Sequence, residues 1–371
     1  MSTNGLDVRR EVERFRADLP IEEASTPPST WYTRAELFAR EQETVFRRSW
    51  QFACPTDLVA QPGSYVRFDL LGESTIVLRD EDGTLRALSN VCRHHAAQLL
   101  EGQGRVQALV CPYHGWTYSL DGRLTSAPGM GTQRDFERSR FALPEAPVEV
   151  WGPLVFVHPG RPERSVAEEL APLSEMLEPT GWTSLRHALR RSYAMACNWK
   201  VFVDNYLDGG YHVAHLHKGL AGQLDMASYR TELFERFNVQ SCPSAGEASF
   251  HGRDFRARIG SGALYAWIHP NLMLNRYGPI LDTNWVRPLD VERCEVVFDY
   301  WFPETEGEEA RRFIEASLEA SDDVQQEDVA ISESVQRGVR SRTYDTGRYA
   351  RTETGMLQFH RLLAADLRND A

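Results

Sequence analysis

The spacing of hydrophobic positions changes along the chain. In residues 7–19 and 33–50 apolar side chains recur at steps of three and four, which predicts two helices. From residue 63 to about 160 the pattern becomes short alternating or β-branched runs, with Asp-Gly turn signals at 82–83 and 121–122. This part of the chain is therefore predicted to form a small antiparallel β domain.

The second half alternates helix-like and strand-like segments. Residues 159–172 are rich in proline and charge, which predicts a linker that leads into a surface helix. Helical spacing returns in residues 198–220, 308–339 and 354–367, and strand-like runs lie between the first two of these. The order predicts an α+β domain, a sheet with helices on one side. We expect three parts: a helical segment at 1–50 that packs on the last domain, a β domain at 51–160, and an α+β domain at 161–371.

Composition narrows the classes of function. The 371 residues are 42% hydrophobic and 25% charged, as in ordinary globular proteins. Asp and Glu outnumber Lys and Arg by 53 to 41, so the net charge of −12 makes nucleic acid and anionic membranes poor partners. The apolar runs are far shorter than the ~20 residues of a membrane span, and the polar start lacks the pattern of a secretory signal. We expect a cytoplasmic protein.

Two cysteines and two histidines form the first candidate site. Cys92-x-His94 is followed, after 16 residues, by Cys111-x-x-His114. Each pair is predicted to lie on a short loop, so two loops can close on one metal centre. This ligand set suits tetrahedral zinc, and it also suits a 2Fe–2S cluster in which thiolates hold one iron and imidazoles the other. A zinc finger groups its cysteines together and its histidines together, whereas each half here supplies one of each, which favours the cluster.

The sequences CRH and CPYHGW around these residues resemble the Rieske cluster motif. Their position in the first half of the chain resembles that of a Rieske non-haem iron oxygenase α subunit. The resemblance implies an α+β fold in two parts, an antiparallel β Rieske domain and a helix-grip catalytic domain in which helices cover an antiparallel sheet. It also implies a second site, for a mononuclear Fe(II), downstream of the cluster.

Three histidines lie where a second site is implied: His212, His215 and His217. A mononuclear Fe(II) oxygenase binds its metal through two imidazoles and one carboxylate and leaves the opposite face open. His212 and His217 match the family's His-x4-His spacing, with the first on the predicted helix and the second at its end. His215 would share a helix face with His212, so the residues alone do not exclude it as a ligand.

The carboxylate ligand is expected on the predicted helix 308–339. The resemblance favours Asp328, although an acidic residue in such a charged run ordinarily faces solvent. Glu327 and Asp323 are the alternatives.

The resemblance also implies an acidic residue that links the two metal centres across a subunit boundary. In many members this acid lies three residues before the first histidine, but that position is Gly209 here. Asp208 lies four residues before His212 and would still face it on a helix, so Asp208 is the candidate. Asp204 is the alternative, and Asn205 is a further candidate catalytic residue.

The partners follow from the same resemblance. The chain has no complete G-x-G-x-x-G fingerprint and no C-x4-C-x2-C run, so it encodes no reductase that these motifs would reveal. Electrons are expected from NAD(P)H through a separate flavin or iron–sulfur reductase. A head-to-tail homotrimer is implied, because it brings the cluster of one subunit to the iron of its neighbour.

The substrate is predicted from residues 204–213, 263–286 and 338–350, which resemble the choline monooxygenase and glycine betaine monooxygenase branch. A quaternary ammonium group is held by the faces of aromatic rings. The candidates for such a box are Tyr206, Tyr211, Tyr265, Trp267, Tyr277 and Trp285. We expect hydroxylation or N-demethylation beside the nitrogen, by a monooxygenase rather than a dioxygenase. The alternatives are ring hydroxylation of an aromatic acid, a Rieske electron-transfer protein without oxygenase chemistry, and a zinc-bound scaffold.

Overall fold

The computed structural model describes residues 6–213, 215–217, 225–244, 249–250, 253–254 and 262–369. The chain divides into two compact units. Arg47–Ala171 forms one, the β unit, and Met1–Phe46 together with Pro172–Ala371 forms the other, the α+β unit. Among the described helices, none combines the length and the apolar composition needed to cross a bilayer.

The N-terminal helices are shorter than the hydrophobic spacing predicts. Helix α1 spans Val8–Glu13 and α2 spans Ala35–Thr44. The Asp7 carboxylate caps α1 by accepting a hydrogen bond from the Arg10 N–H at 3.1 Å. The predicted helix 33–50 extends beyond α2, because the chain forms a 3-10 turn at Phe46–Arg48 and then enters a strand at Gln51.

The β unit confirms the predicted antiparallel β domain. Its eleven described strands are β1 Gln51–Pro55, β2 Ser64–Leu70, β3 Glu73–Arg79, β4 Leu85–Ser89, β5 Gln103–Arg105, β6 Leu109–Val110, β7 Thr117–Tyr118, β8 Leu124–Ser126, β9 Glu145–Ala146, β10 Val148–Trp151 and β11 Leu154–Val157. They form three sheets, with orders β5-β2-β3-β4-β9, β1-β11-β10 and β6-β7-β8. A short helix, α3 (Val166–Glu169), follows the last strand.

A seven-stranded antiparallel sheet forms the centre of the α+β unit, in the order β12-β20-β19-β18-β17-β14-β13. Helix α4 (Ala171–Leu177) precedes it. The strands of the unit are β12 Arg186–Met195, β13 Arg230–Leu233, β14 Phe237–Pro243, β15 Ser249–Phe250, β16 Arg253–Asp254, β17 Gly262–Ile268, β18 Leu272–Tyr277, β19 Ile280–Asp290 and β20 Arg293–Phe302. The predicted α+β class is confirmed.

The sequence pattern did not predict strand β12. This strand lies at the edge of the sheet and pairs with β20 alone, and most of its residues are only half-buried. Its long basic side chains hide the alternation that marks a strand with one buried face.

Three helices complete the α+β unit: α5 (Trp199–Tyr206), α6 (Glu308–Val339) and α7 (Thr354–Arg368). The buried face of α6 is largely polar, because Gln325, Asp328, Ser332 and Gln336 recur on it at steps of three and four. Gln336 accepts a hydrogen bond from the Asn198 N–H at 2.8 Å, at the start of α5. Polar contacts of this kind set the register of α6 against α5.

Candidate metal centres and substrate cavity

Two loops of the same shape hold the four residues of the first constellation. The Cys92 carbonyl accepts from the Ala96 N–H at 3.0 Å, and the Cys111 carbonyl accepts from the Gly115 N–H at 3.0 Å. Both donor residues have left-handed backbone, with φ of 59° at Ala96 and 70° at Gly115. Each loop therefore closes through its own backbone and carries one cysteine and one histidine.

The four side chains of these loops converge. Both cysteines are buried as free thiols, and the rings of His94 and His114 lie 4.7 Å apart. The Nδ1 atom of His94 is buried and has no hydrogen-bond partner in the described part of the chain. Burial is the main cause that lowers the pKa of His94, and the nearby His95 and His114 lower it further. The lower pKa favours a neutral imidazole. Two thiols and a buried, unpartnered ring nitrogen fit a bound metal centre.

A second group of ligand atoms lies in the α+β unit. His212, His217 and Asp328 each offer one ligand atom, and these atoms lie within 4.8 Å of one another. His217 Nε2 is 3.1 Å from Asp328 Oδ1, and the two imidazole rings are 4.9 Å apart. Two imidazoles and one carboxylate are the ligand set of a non-haem Fe(II) site.

Carboxylates orient both histidines of this group. Asp208 Oδ2 lies 2.6 Å from His212 Nδ1, and Glu327 Oε2 lies 2.6 Å from His217 Nδ1. Such contacts occupy the Nδ1 atoms and leave the Nε2 atoms for a metal. Glu327, an alternative ligand in the sequence analysis, contacts the outer nitrogen of His217 instead.

Asp328 on α6 also accepts a hydrogen bond from a neutral side chain. Asn205, a predicted catalytic residue, donates through Nδ2 to Asp328 Oδ1 at 2.8 Å. Asp323, the other alternative ligand, is exposed on the same helix. Asn205 thus orients Asp328 from helix α5, whereas Asp323 is not part of the ligand group.

The predicted helix 198–220 is wrong beyond Tyr206, where α5 ends, and the described residues up to His217 form turns. Gly209 and Gly210 have φ of 70° and 75°, a left-handed conformation that ends a helix. A Cβ atom at Gly209 would overlap the carbonyl oxygen of Thr352. His215, predicted to share a helix face with His212, is exposed on these turns and is not one of the three converging residues.

Asp204 belongs to a different buried network. Its Oδ2 accepts from the Tyr32 hydroxyl at 2.7 Å. The same hydroxyl lies 3.1 Å from His360 Nε2, and His360 Nδ1 lies 2.7 Å from the Tyr349 hydroxyl. Asp208 therefore contacts His212 of the ligand group, whereas Asp204 contacts Tyr32.

A cavity with a volume of about 180 Å³ adjoins this group. Residues of β14, β17, β18, β19 and β20 form one wall. Helices α5 and α6, the turns after α5 and Tyr229 form the rest. The described residues that line it are Phe202, Asn205, Tyr206, Gly210, His212, Val213, His217, Tyr229, Gln240, Tyr265, Asn275, Tyr277, Asp282, Asn284, Phe298, Ser321, Val324, Gln325 and Asp328. A cavity of ~150 Å³ can hold benzene, so a small organic substrate fits.

Three of the six predicted box residues, Tyr206, Tyr265 and Tyr277, line this cavity. Burial raises the pKa of Tyr206 well above the usual value for tyrosine, so its hydroxyl remains protonated. That hydroxyl donates to Asn275 Oδ1 at 2.7 Å. Half of the predicted box is thus placed where a substrate could contact it.

The other three predicted box residues lie elsewhere. Tyr211 is 64% exposed, because it follows the glycine turn after α5. Trp267 is buried farther along β17, where its ring packs 5.3 Å from that of Phe359 in α7. Trp285 follows the cavity residue Asn284 and so points to the opposite face of β19.

Sequence reasoning missed several residues of the cavity wall. Aromatic rings come from Phe202, Tyr229 and Phe298, and polar groups come from Gln240, Asn275, Asp282, Asn284, Ser321 and Gln325. A signal was present in β18 and β19, which are largely buried and yet carry runs of polar residues, Asn275 and Arg276 in β18 and Asp282 to Asn284 in β19. Buried polar residues of this kind indicate a polar surface inside the domain.

Comparison with protein families now identifies the chain. Residues 49–139 match the family model described as "Rieske [2Fe-2S] domain", and residues 182–368 match "Ring hydroxylating alpha subunit (catalytic domain)". The chain is a Rieske oxygenase α subunit. The resemblance inferred from the Cys–His motifs is confirmed, and the protein is an oxidoreductase whose family uses a Rieske 2Fe–2S cluster and a mononuclear Fe(II).

Relatives of this Rieske oxygenase include enzymes of quaternary ammonium compounds. It is 44% identical to choline monooxygenase, chloroplastic, of Arabidopsis thaliana, over 98% of this chain and 87% of the relative. It is 31% identical to the carnitine monooxygenase oxygenase subunit of Escherichia coli K12, over 92% of this chain and 94% of the relative. These relatives support the monooxygenase class and exclude the zinc scaffold and the simple electron-transfer protein.

A solved structure agrees with this classification. The quaternary ammonium Rieske monooxygenase CntA in complex with its substrate L-carnitine has a TM-score of 0.82 and 27% identity, over 98% of this chain and 99% of that one. As an oxygenase α subunit, this protein acts on substrate and O2 with electrons from a separate reductase.

Proposed function

We propose that this Rieske oxygenase hydroxylates or N-demethylates a small quaternary ammonium compound related to choline or betaine. The observation that carries the proposal is the small cavity, which is walled by tyrosine and phenylalanine rings and adjoins the His212, His217 and Asp328 group. Aromatic faces attract a cation by about 2 kcal/mol or more when it is desolvated. The choline and carnitine monooxygenases among the relatives support the same class of substrate.

The metal ligands are part of the proposal. Cys92 and Cys111 would hold one iron of the cluster, and His94 and His114 the other. His212, His217 and Asp328 would hold the mononuclear Fe(II). Once bound, these centres supply single electrons and the activation of O2. The protein orients the ligands through the contacts of Asp208, Glu327 and Asn205, and the aromatic rings of the cavity wall would shield the bound cation from water.

Asp208 is our candidate for the link between the metal centres of neighbouring subunits. Its two oxygens accept from the backbone N–H groups of Tyr211 at 3.1 Å and His212 at 2.8 Å, and Oδ2 also contacts His212 Nδ1. A carboxylate held this firmly keeps its position beside a ligand imidazole.

We propose a head-to-tail homotrimer that receives electrons from NAD(P)H through a flavin or iron–sulfur reductase. Inter-subunit electron transfer is a subject of the solved structure of a quaternary ammonium Rieske monooxygenase that is 26% identical to this chain, and this supports the proposed arrangement.

The proposal is tested by purifying the protein without oxygen and measuring its visible spectrum, its iron content and its products. We expect a red-brown protein with more iron than a 2Fe–2S cluster accounts for. With a reductase, choline, glycine betaine or carnitine should give O2 uptake coupled to product formation, and benzoate should not. Coupled turnover of benzoate, without turnover of any of the three ammonium compounds, would overturn the proposal.

A further inference from the structure

Gln325 is a residue of the cavity wall whose side-chain amide has an unmet hydrogen bond. It belongs to α6, lines the cavity and is 3% exposed. Its Nε2 atom is buried and has no hydrogen-bond partner in the part of the chain that the structure describes. A buried polar group without a partner destabilises a protein, so a ligand that bonded to this amide would remove an existing penalty.

The other amide side chains of the cavity wall are already hydrogen-bonded within the protein. Their bonds run from Asn205 to Asp328, from Gln240 to the Tyr206 carbonyl and from Asn275 to Asn284. Among the amides that line the described cavity, Gln325 is the one with a donor atom that is both buried and unpartnered. It is therefore the amide best placed to bind a polar group of a substrate.

Three tyrosines of the cavity wall gather around Gln240 of β14. Gln240 accepts from the Tyr229 hydroxyl at 3.0 Å and donates to the Tyr206 carbonyl at 3.2 Å. Tyr265 of β17 pairs with Gln240, so these two side chains point to the same face of the sheet. Because ring faces bind a quaternary ammonium group, this part of the cavity suits the cationic end of a substrate.

Gln325 lies over a different part of the sheet. One turn earlier on α6, the Ser321 hydroxyl lies 2.8 Å from the hydroxyl of Tyr300 on β20. Strands β19 and β18 separate β20 from β17 in the sheet. Gln325 shares a helix face with Ser321, four residues before it, and with Asp328, three residues after it. Its amide therefore lies on the α6 side of the cavity, beside the ligand group, whereas the tyrosines gather over β14 and β17.

We propose that Gln325 is a specificity-determining residue whose amide hydrogen-bonds to an oxygen atom in the tail of the substrate, while the tyrosines hold the ammonium group. A half-turn of the amide exchanges its N–H donors and its carbonyl acceptor, so it can bind either a hydroxyl group or a carboxylate. An alkyl tail would leave the amide unpartnered and should be rejected. This inference rests on the proposed function, since it presupposes a quaternary ammonium substrate.

The test compares choline with ethyltrimethylammonium, in which hydrogen replaces the hydroxyl group, in wild type and in Gln325→Met. Met is also long and unbranched, and it has no hydrogen-bond donor. Calorimetric titration of the oxygen-free holoenzyme measures the dissociation constants. We expect wild type to bind choline at least about tenfold more tightly than ethyltrimethylammonium. In the variant this preference should disappear or reverse, because choline loses its hydrogen bond and an alkyl tail packs well against Met.

Steady-state kinetics and glycine betaine sharpen the comparison. The loss for choline in Gln325→Met should appear mainly in KM, since the bond acts on binding. If the tail oxygen belongs to a hydroxyl group, wild type prefers choline to glycine betaine and the variant weakens choline binding more. If it belongs to a carboxylate, both orders are reversed. Either order supports the proposal and names the tail.

Ser332→Ala is the matched control. Ser332 lies on the same buried face of α6, and its Oγ atom is also buried and unpartnered among the described residues, but it does not line the described cavity. Its loss should leave all three dissociation constants unchanged. The cluster spectrum and the iron content of both variants show whether they fold. If Gln325→Met does not fold, Gln325→Leu serves for the same comparison.

Different results overturn the two proposals. If wild type binds ethyltrimethylammonium as tightly as choline and glycine betaine, the role of Gln325 is wrong while the quaternary ammonium function stands. A folded Gln325→Met that keeps the wild-type preference has the same meaning. If wild type neither binds nor oxidises choline, glycine betaine or carnitine, the proposed function itself fails.

Discussion

The two candidate metal centres are built in opposite ways. All four candidate cluster residues lie within 23 residues, on two loops that close through their own backbone hydrogen bonds. The second centre joins His212 and His217, on turns after α5, to Asp328 on α6, more than a hundred residues away. The comparison teaches that the first centre is a local property of the chain, whereas the second depends on how two helices are aligned.

The largest effect should come from removing a ligand of the first centre. Cys111→Ala should abolish the visible absorbance of the cluster and the turnover that depends on the reductase, because a thiolate ligand is lost. Binding of Fe(II) to the second centre should persist, since its ligands lie in the other unit. Metal analysis and absorption spectroscopy measure both. Cys54→Ala is the control, because Cys54 is another buried cysteine of the β unit that is not in a disulfide. A normal cluster in Cys111→Ala would contradict the assignment.

The reverse pattern is expected for Asp328→Ala. The cluster spectrum should remain, while mononuclear iron and turnover fall by more than the ~100-fold that changes to outer-shell partners cost. Asp323→Ala removes an exposed carboxylate from the same helix and should leave both centres intact. Iron content, cluster absorbance and substrate-coupled O2 uptake distinguish the two variants. Full activity in Asp328→Ala would disprove its role as a ligand.

Gly209→Ala should disturb the position of the second centre without removing any of its ligands. In Gly209→Ala the new Cβ has a left-handed φ and overlaps the Thr352 carbonyl oxygen, so we expect a loss of about 1–3 kcal/mol in the free energy of unfolding. Mononuclear iron should fall while the cluster is retained. Urea unfolding measures the stability. Gly307→Ala, with φ of 91° but open space around it, should cost less, and equal losses in the two variants would argue against the overlap.

The smallest effect is expected from Glu327→Gln. Gln keeps the size of the side chain but removes the charge that orients His217, so the affinity for Fe(II) should fall about tenfold. A titration of Fe(II) into metal-free protein measures this affinity, with the cluster spectrum as an internal reference. Asp323→Asn, which removes a charge from the exposed side of α6, should leave it unchanged. Equal affinities in wild type and Glu327→Gln would show that the contact does not orient the ligand.

Much of the fold was predictable because its signals are local. The β unit, most strands of the large sheet and the helices α6 and α7 follow from hydrophobic spacing. The end of α5 was missed because the glycine turn at 209–210 was read as part of a longer helix. Strand β12 was missed because an edge strand with half-buried faces has little alternation to detect.

Prediction of the cavity residues from sequence has the same limit. Tyr206, Tyr265 and Tyr277 were predicted, but Trp267 and Trp285 have equally suitable side chains and lie elsewhere. Aromatic character alone does not distinguish these two groups, because the strand register and the covering helix determine which rings face the cavity. Asp282 lines the cavity for the same reason, because β18, β19 and α5 come together around it.

The sequence by itself determined the family, the pair of Cys–His loops and the α+β class, because these depend on residue types at short separations. The tertiary structure decided which carboxylate contacts His217, and which aromatic residues share a cavity with the ligand group. Such groupings arise from contacts between segments far apart in the chain, and the spacing of residues within one segment contains no information about them.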